Sequence, residues 1–301
     1  MKNPPAPADI YNLFTNSNPD EVWPKITDIV RCINAAYDFT PAKTTFDDVV
    51  RLFRGEYPGY CPIKTPYHDL PHTLDVLLCA VRLMHGVHIS GTRLADSEMT
   101  MIMMATLMHD VGYGQVPGEE TGTGAQHTRE HVDRGIEFMQ RYIVAQNFPP
   151  DWVISLEFII QGTNHLLPFQ RINFPDARIL LIGQIVATAD MVGQMSDRAY
   201  LEKLLLLYLE FKEAQLGDYQ SIHDMLNKTH EFYETTRRKL DSELGGTYTK
   251  LSFHFNELFG VENNYYLESI EKNIAYLSRV VSLDEEKRFS MLKRGGIVGR
   301  F

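Results

Sequence analysis

The chain has 301 residues, 44% of them hydrophobic and 23% charged, with a formal net charge of −10. That is an ordinary globular composition, with chain enough for one large domain. The negative balance argues against a nucleic-acid polymer as partner, because phosphate backbones are held by a basic footprint. It leaves small anions open, since a bound cation can dominate the field of a site.

The opening Met1-Lys2-Asn3-Pro4-Pro5-Ala6-Pro7 lacks the apolar core of a signal peptide. The three cysteines, Cys32, Cys61 and Cys79, are odd in number and form no Cys-x-x-Cys. Neither a disulfide framework nor a thiolate zinc site is indicated, and a cytoplasmic location is expected. Residues 8–16 and 20–37 read as short helices. Phe46, Val49, Val50 and Phe53 fall at helical spacing. Residues 56–66, rich in Gly and Pro, read as a loop. A mostly apolar helix is expected from His72 to Met84, with Pro71 in its first turn and Asp69 as its cap.

Ser97 to Asp110 is apolar nearly all round, so its helix should be buried centrally. Gly112 and Gly114 end it. Residues 112–125 form a loop long enough to be functional. Further helices are expected at 126–146, 151–162, 176–195, 197–215, 220–242 and 263–282. The apolar stretches at 179–189 and 204–209 look too short to span a bilayer, so no membrane partner is expected. The second reads as a buried face or part of a homodimer interface. No strand pattern or repeat is evident. The fold class is all-α. Residues 1–60 are expected as N-terminal helices packed on a core at 61–285. A basic tail at 286–301 should be loose or docked on a partner.

Five residues in this pattern carry chemistry. His68 and His72 stand four apart. His109 and Asp110 are adjacent at a helix end, where both can turn toward one point. Asp190 closes the apolar run Ile179 to Ala189. Each alone has an ordinary explanation, as a satisfied core histidine or a polar helix terminus. Together, in apolar surroundings, they point to a divalent cation, because unpaired imidazole and carboxylate are costly there. The methionines at 99–108 read as core. His85, His88, His223, His230 and His254 read as background.

The order His…His-Asp…Asp resembles the HD-domain metal-dependent phosphohydrolases. More specifically, Tyr67-His68-Asp69-Leu70-Pro71-His72 is similar to the Tyr-His-Asn-x-x-His signature of class I cyclic nucleotide phosphodiesterases. Met108-His109-Asp110-Val111 is similar to their His-Asp block, and Ala187-Thr188-Ala189-Asp190-Met191 to their Cys-Ala-Asp-Leu block. Glu130-His131 resembles a His-His pair opening a helix, and Thr163-Asn164-His165 a Thr-Asp-x-x-x-His region. The resemblance covers residues 60–200.

It implies a compact multi-helix bundle with a central metal cleft and two divalent ions (Mg, Mn, Zn or Fe). His72, His109, Asp110 and Asp190 would hold the first ion, and Asp110 would bridge to the second. A water between the ions would attack phosphorus, and His68 would donate a proton to the leaving oxygen. A carboxylate, Asp69 or another, would hold His68 as imidazolium. Asp69, His131 and His165 are candidates for supporting or second-metal roles. The substrate would be a small phosphorylated molecule, a nucleotide or cyclic nucleotide diester.

This chain departs from that pattern in several places. Asp69 replaces Asn, and Tyr113 stands where a further His is expected. The family's glutamate ahead of the His-His pair has no clean counterpart, since Thr128 or Arg129 falls there. The Gln-x-x-x-Phe clamp is not evident, Gln220 being a weak candidate. Three alternatives stay open: a phosphomonoesterase or nucleotidase, a di-iron oxygenase on the same scaffold, and a ligand sensor without catalysis.

Overall fold

Helical spacing of apolar residues becomes twelve α-helices in the computed structural model, which describes residues 17–217 and 219–300; no strand occurs among the described residues. The predicted helix at 8–16 lies outside them. In chain order the helices are α1 (Pro19–Ile33), α2 (Thr40–Arg54), α3 (Leu70–Ile89), α4 (Asp96–Met108), α5 (His131–Ala145) and α6 (Trp152–Gln161). There follow α7 (Ala177–Ser196), α8 (Tyr200–Glu213), α9 (Ile222–Ser242), α10 (Leu251–Phe259), α11 (Tyr265–Val281) and α12 (Glu285–Met291).

Helices α3, α4 and α7 form the centre and pack on one another. Their sequences explain this. From His72 to Val87 every residue of α3 is buried, and so is every residue of α4 from Met99 onward. Such helices have no polar face to give to water. Leu74, Leu77, Leu78 and Leu83 are fully enclosed, each contributing on the order of 1.5–3 kcal/mol of burial. The remaining helices are amphipathic and cover this centre. α1 and α10 lie on α3, α2 on α4, and α11 on α7. One hydrophobic cluster runs from Val22 to Leu292.

Several expectations are corrected. The helix expected at 20–37 stops at Ile33, where Asn34 turns extended. The segment expected as one helix at 126–146 is a short 3-10 turn, Ala125–Arg129, followed by α5. Helix α7 contains the apolar run at 179–189, expected to be too short to span a bilayer, and its bounds match the helix expected at 176–195 to within one residue. By length and composition its twenty residues suffice to cross a membrane, and 78% of its most apolar window is buried within the protein. Neighbouring helices therefore take the surface that lipid would otherwise meet. Helices α10 and α12 were not anticipated. The C-terminal tail is docked on its own chain through Arg288, Leu292 and Arg294. Arg288 donates to the carbonyls of Val281 and Leu283 and to Asn227, the amide of Arg294 donates to Glu202, and Leu292 is buried. All three cysteines are free thiols.

Candidate metal centre

Three stretches of backbone deliver the central residues. His72 lies in the first turn of α3, and Asp69 fixes that turn by accepting the His72 amide at 2.9 Å. His109 and Asp110 follow the last residue of α4. Asp110 has left helical geometry, with φ −110° and ψ 2°, so neighbouring side chains converge instead of fanning apart. Asp190 projects from inside α7, where it is buried between Ala189 and Met191 of the chain.

A ring nitrogen of His72, a ring nitrogen of His109 and a carboxylate oxygen of Asp110 all lie within 4.8 Å of one another. His72 Nε2 is 3.4 Å from Asp110 Oδ2 and 3.5 Å from Asp190 Oδ1. His109 Nε2 is 3.1 Å and 3.7 Å from the same two oxygens. These are ion-pair separations. His72 Nε2, His109 Nε2 and Asp110 Oδ2 are buried and make no hydrogen bond. Three buried polar atoms without hydrogen bonds, facing one point, are what a cation would satisfy.

The histidine tautomers fit that reading. Nδ1 of His109 is 2.7 Å from the carbonyl of Thr106. A carbonyl only accepts, so Nδ1 carries the proton and Nε2 keeps its lone pair for a metal. His131 repeats the device, with Nδ1 2.7 Å from the carbonyl of Thr128. Its Nε2 lies 3.7 Å from Asp110 Oδ1. His165 Nε2 lies 3.4 Å from Asp190 Oδ2, at a half-exposed position. Each carboxylate therefore turns one oxygen toward His72 and His109 and the other toward an outer histidine. Nitrogen and oxygen donors of this kind suit zinc, iron, manganese or magnesium. The buried group His72, His109 and Asp110 could thus hold a metal ion.

Electrostatics couple the cluster. Burial alone would depress His72, yet Asp110 and Asp190 push it up to about 10. Burial alone would raise Asp110, yet His109, His68 and His72 hold it well below the usual carboxylate range. Asp190 is likewise lowered against its burial, by His165, His72 and His109. His131 is lowered by burial, which Asp110 only partly offsets; a neutral imidazole is the ligating form.

His68 stands beside the cluster. Its Nδ1 lies 2.5 Å from Glu210 Oε2. The other oxygen of Glu210 accepts the amides of Tyr67 at 2.6 Å and His68 at 3.2 Å. Burial lowers the His68 pKa, but Glu210 and Asp110 outweigh it and the net shift is upward. The carboxylate partner is thus Glu210, from α8, and not Asp69, which is engaged in capping α3. Glu210 stands just past the apolar run 204–209, where in sequence it has the look of a solvated acid. The available signal was an acid flanked by Tyr208, Leu209 and Phe211.

Tyr113 lies between two of the histidines. Its ring stacks on His68 at 4.9 Å and on His131 at 4.6 Å between centroids. Its buried hydroxyl has no hydrogen-bond partner.

Above these residues opens a cavity of about 310 Å³, floored by His109, Asp110 and Asp190 and walled by α8 and α9. Gln220 does not line it, whereas Gln194 does. His85, His88, His223, His230 and His254 are also absent from its lining.

A family model described as Npun_R2479-like matches residues 114–244. This span holds His131, His165, Asp190 and Glu210, and leaves out His68, His72, His109 and Asp110. It is less than half of the chain. No curated protein matches the chain.

Proposed function

We propose that the protein is a divalent-metal-dependent phosphohydrolase, using the HD-type arrangement its motifs resemble. The observation that carries the reading is the convergence of buried donor atoms lacking hydrogen bonds, from His72, His109 and Asp110, the last two of which floor a cavity. His72, His109, Asp110 and Asp190 would hold one ion. The outward oxygens of Asp110 and Asp190, with His131 and His165, would serve a second. Such ions lower the pKa of a water and offset charge on phosphoryl oxygens.

The remaining work falls to the chain itself. His68 lines the same cavity, held protonated by Glu210, and suits proton donation to the departing oxygen. In the overall hydrolysis one P–O bond forms from water and one P–O bond to the leaving alcohol breaks. The alcohol leaves with the proton from His68, which is restored from the proton that water releases.

The test is purified protein supplied separately with manganese, magnesium, zinc and iron, and a panel of phosphoesters. Metal-dependent turnover is expected, removed by chelation and restored by metal. His68→Ala should keep its metal and lose turnover by roughly a hundredfold or more. Metal-loaded protein that hydrolyses none of the esters would overturn the proposal.

A further inference from the structure

The cavity walls differ sharply from its floor. Away from the metal cluster they include Leu204, Leu207, Phe211, Leu216, Met225 and Phe232, with Tyr200 and Tyr219 beside them. Among the described residues that line the cavity there is no lysine and no arginine. At its mouth Leu166 is 62% exposed and Phe232 44% exposed, so the apolar surface continues to the entrance.

Five of the polar side chains in these walls are committed to the protein. The hydroxyls of Thr128, Thr163 and Thr229 donate to the carbonyls of Ala125, Ile160 and Met225. The side-chain oxygen of Gln194 accepts the Tyr67 hydroxyl at 2.5 Å, and that of Asn164 accepts the Leu166 amide at 2.9 Å. Each of the two amide oxygens that would accept an exocyclic amine from a base already holds one donor. A second phosphate or a carboxylate in the walls would be desolvated with no cation beside it, at high cost.

Resting on the phosphohydrolase reading, we infer that the substrate is a phosphoester charged only at its phosphate, with an apolar aryl or branched-alkyl group filling the walls. The phosphate sits at the floor, and the apolar group lies between α8 and α9, with Phe232 at its outer edge. The cavity volume is at the small end of ligand sites, which fits one compact organic group.

The test compares esters whose leaving alcohols are matched in acidity, using the full chain loaded with manganese. Naphthylethyl phosphate and its methyl diester are set against adenosine monophosphate and its methyl diester. The naphthylethyl esters should show kcat/KM about tenfold higher or more. Equal or better use of the adenosine esters would overturn the inference while leaving the phosphohydrolase reading intact. Binding gives a second readout. Naphthylethylphosphonate, followed by calorimetry, should bind about tenfold more weakly to Leu207→Asp and to Phe232→Asp. Both side chains are only partly buried, so these variants should fold. Unchanged affinity in both would also overturn the inference. Normal phosphonate binding with neither ester pair hydrolysed removes the phosphohydrolase reading, and this substrate with it.

Discussion

Glu210 Oε2 lies 2.5 Å from Nδ1 of His68, across 142 residues of chain. The contact is prepared on both sides. Glu210 is fully enclosed and is fixed by two backbone amides, so its charge is oriented before any substrate arrives. Glu210→Gln keeps the shape and removes the charge. An acid catalyst works below its pKa and fails above it. Removing the carboxylate lowers the His68 pKa, so the basic limb of the pH–rate profile should move to lower pH. Turnover near neutrality should fall roughly ten- to a hundredfold with metal content unchanged. A basic limb that stays in place would detach Glu210 from this role.

Asp110 and Asp190 each offer one oxygen to His72 and His109 and the other to an outer histidine. Asp110→Ala or Asp190→Ala should therefore lose bound metal and turnover together. Manganese should raise the melting temperature of the natural protein, by the equivalent of about 2.7 kcal/mol at a hundred times Kd. It should leave the variants unmoved. A variant that retains full metal content, by elemental analysis, would remove that carboxylate from the ligand set.

The helical class and the central trio α3, α4 and α7 were legible because their burial is written as unbroken apolar sequence. The cluster was legible for a related reason, since His72, His109, Asp110 and Asp190 interrupt that apolar sequence with groups that need a partner. Glu210 was not, because its interruption of an amphipathic helix looks like any solvated acid until α8 is seen to turn it inward. Tyr113 was noted only as a departure, and its stacking between His68 and His131 depends on a chain fold that spacing does not encode. Helices α10 and α12 are short and draw their stability from docking rather than from a long periodic pattern.

Gly112 was read as a helix stop, but its importance is proximity. A Cβ there would lie 1.8 Å from the carbonyl oxygen of His131 and 2.8 Å from the amide nitrogen of Gly135. Both obstacles are backbone, so no side chain can swing away. Gly112→Ala must push the start of α5 off the turn holding His109 and Asp110, carrying His131 with it. The expected cost is about 1–3 kcal/mol or more in denaturant unfolding, with weaker metal binding. Natural stability combined with natural metal affinity would show that the two segments are not locked together here.

His254 and His85 meet Nδ1 to Nδ1 at 3.1 Å in the interior, between α10 and α3. One nitrogen must donate and the other accept, so the two rings cannot both be imidazolium without losing the contact. Burial and the nearby His88 push His85 down to about 4. Burial, Arg82 and His85 hold His254 well below the ordinary histidine range. In the unfolded chain both titrate near 6.5. Below that value the unfolded state takes up protons that the folded state refuses, so stability falls with pH. The loss begins near 6.5 and continues until the folded pKa is reached, at about 4 for His85. The slope is about 1.4 kcal/mol per pH unit for each histidine at full effect. His68, His72 and His109 are shifted the other way and stabilise the fold at low pH, so the informative quantity is the difference between two proteins. His254→Gln, compared with the natural chain by urea unfolding from pH 7 to pH 5, should lose less stability over that interval. Parallel curves for the two would mean that His254 is not held neutral by its surroundings.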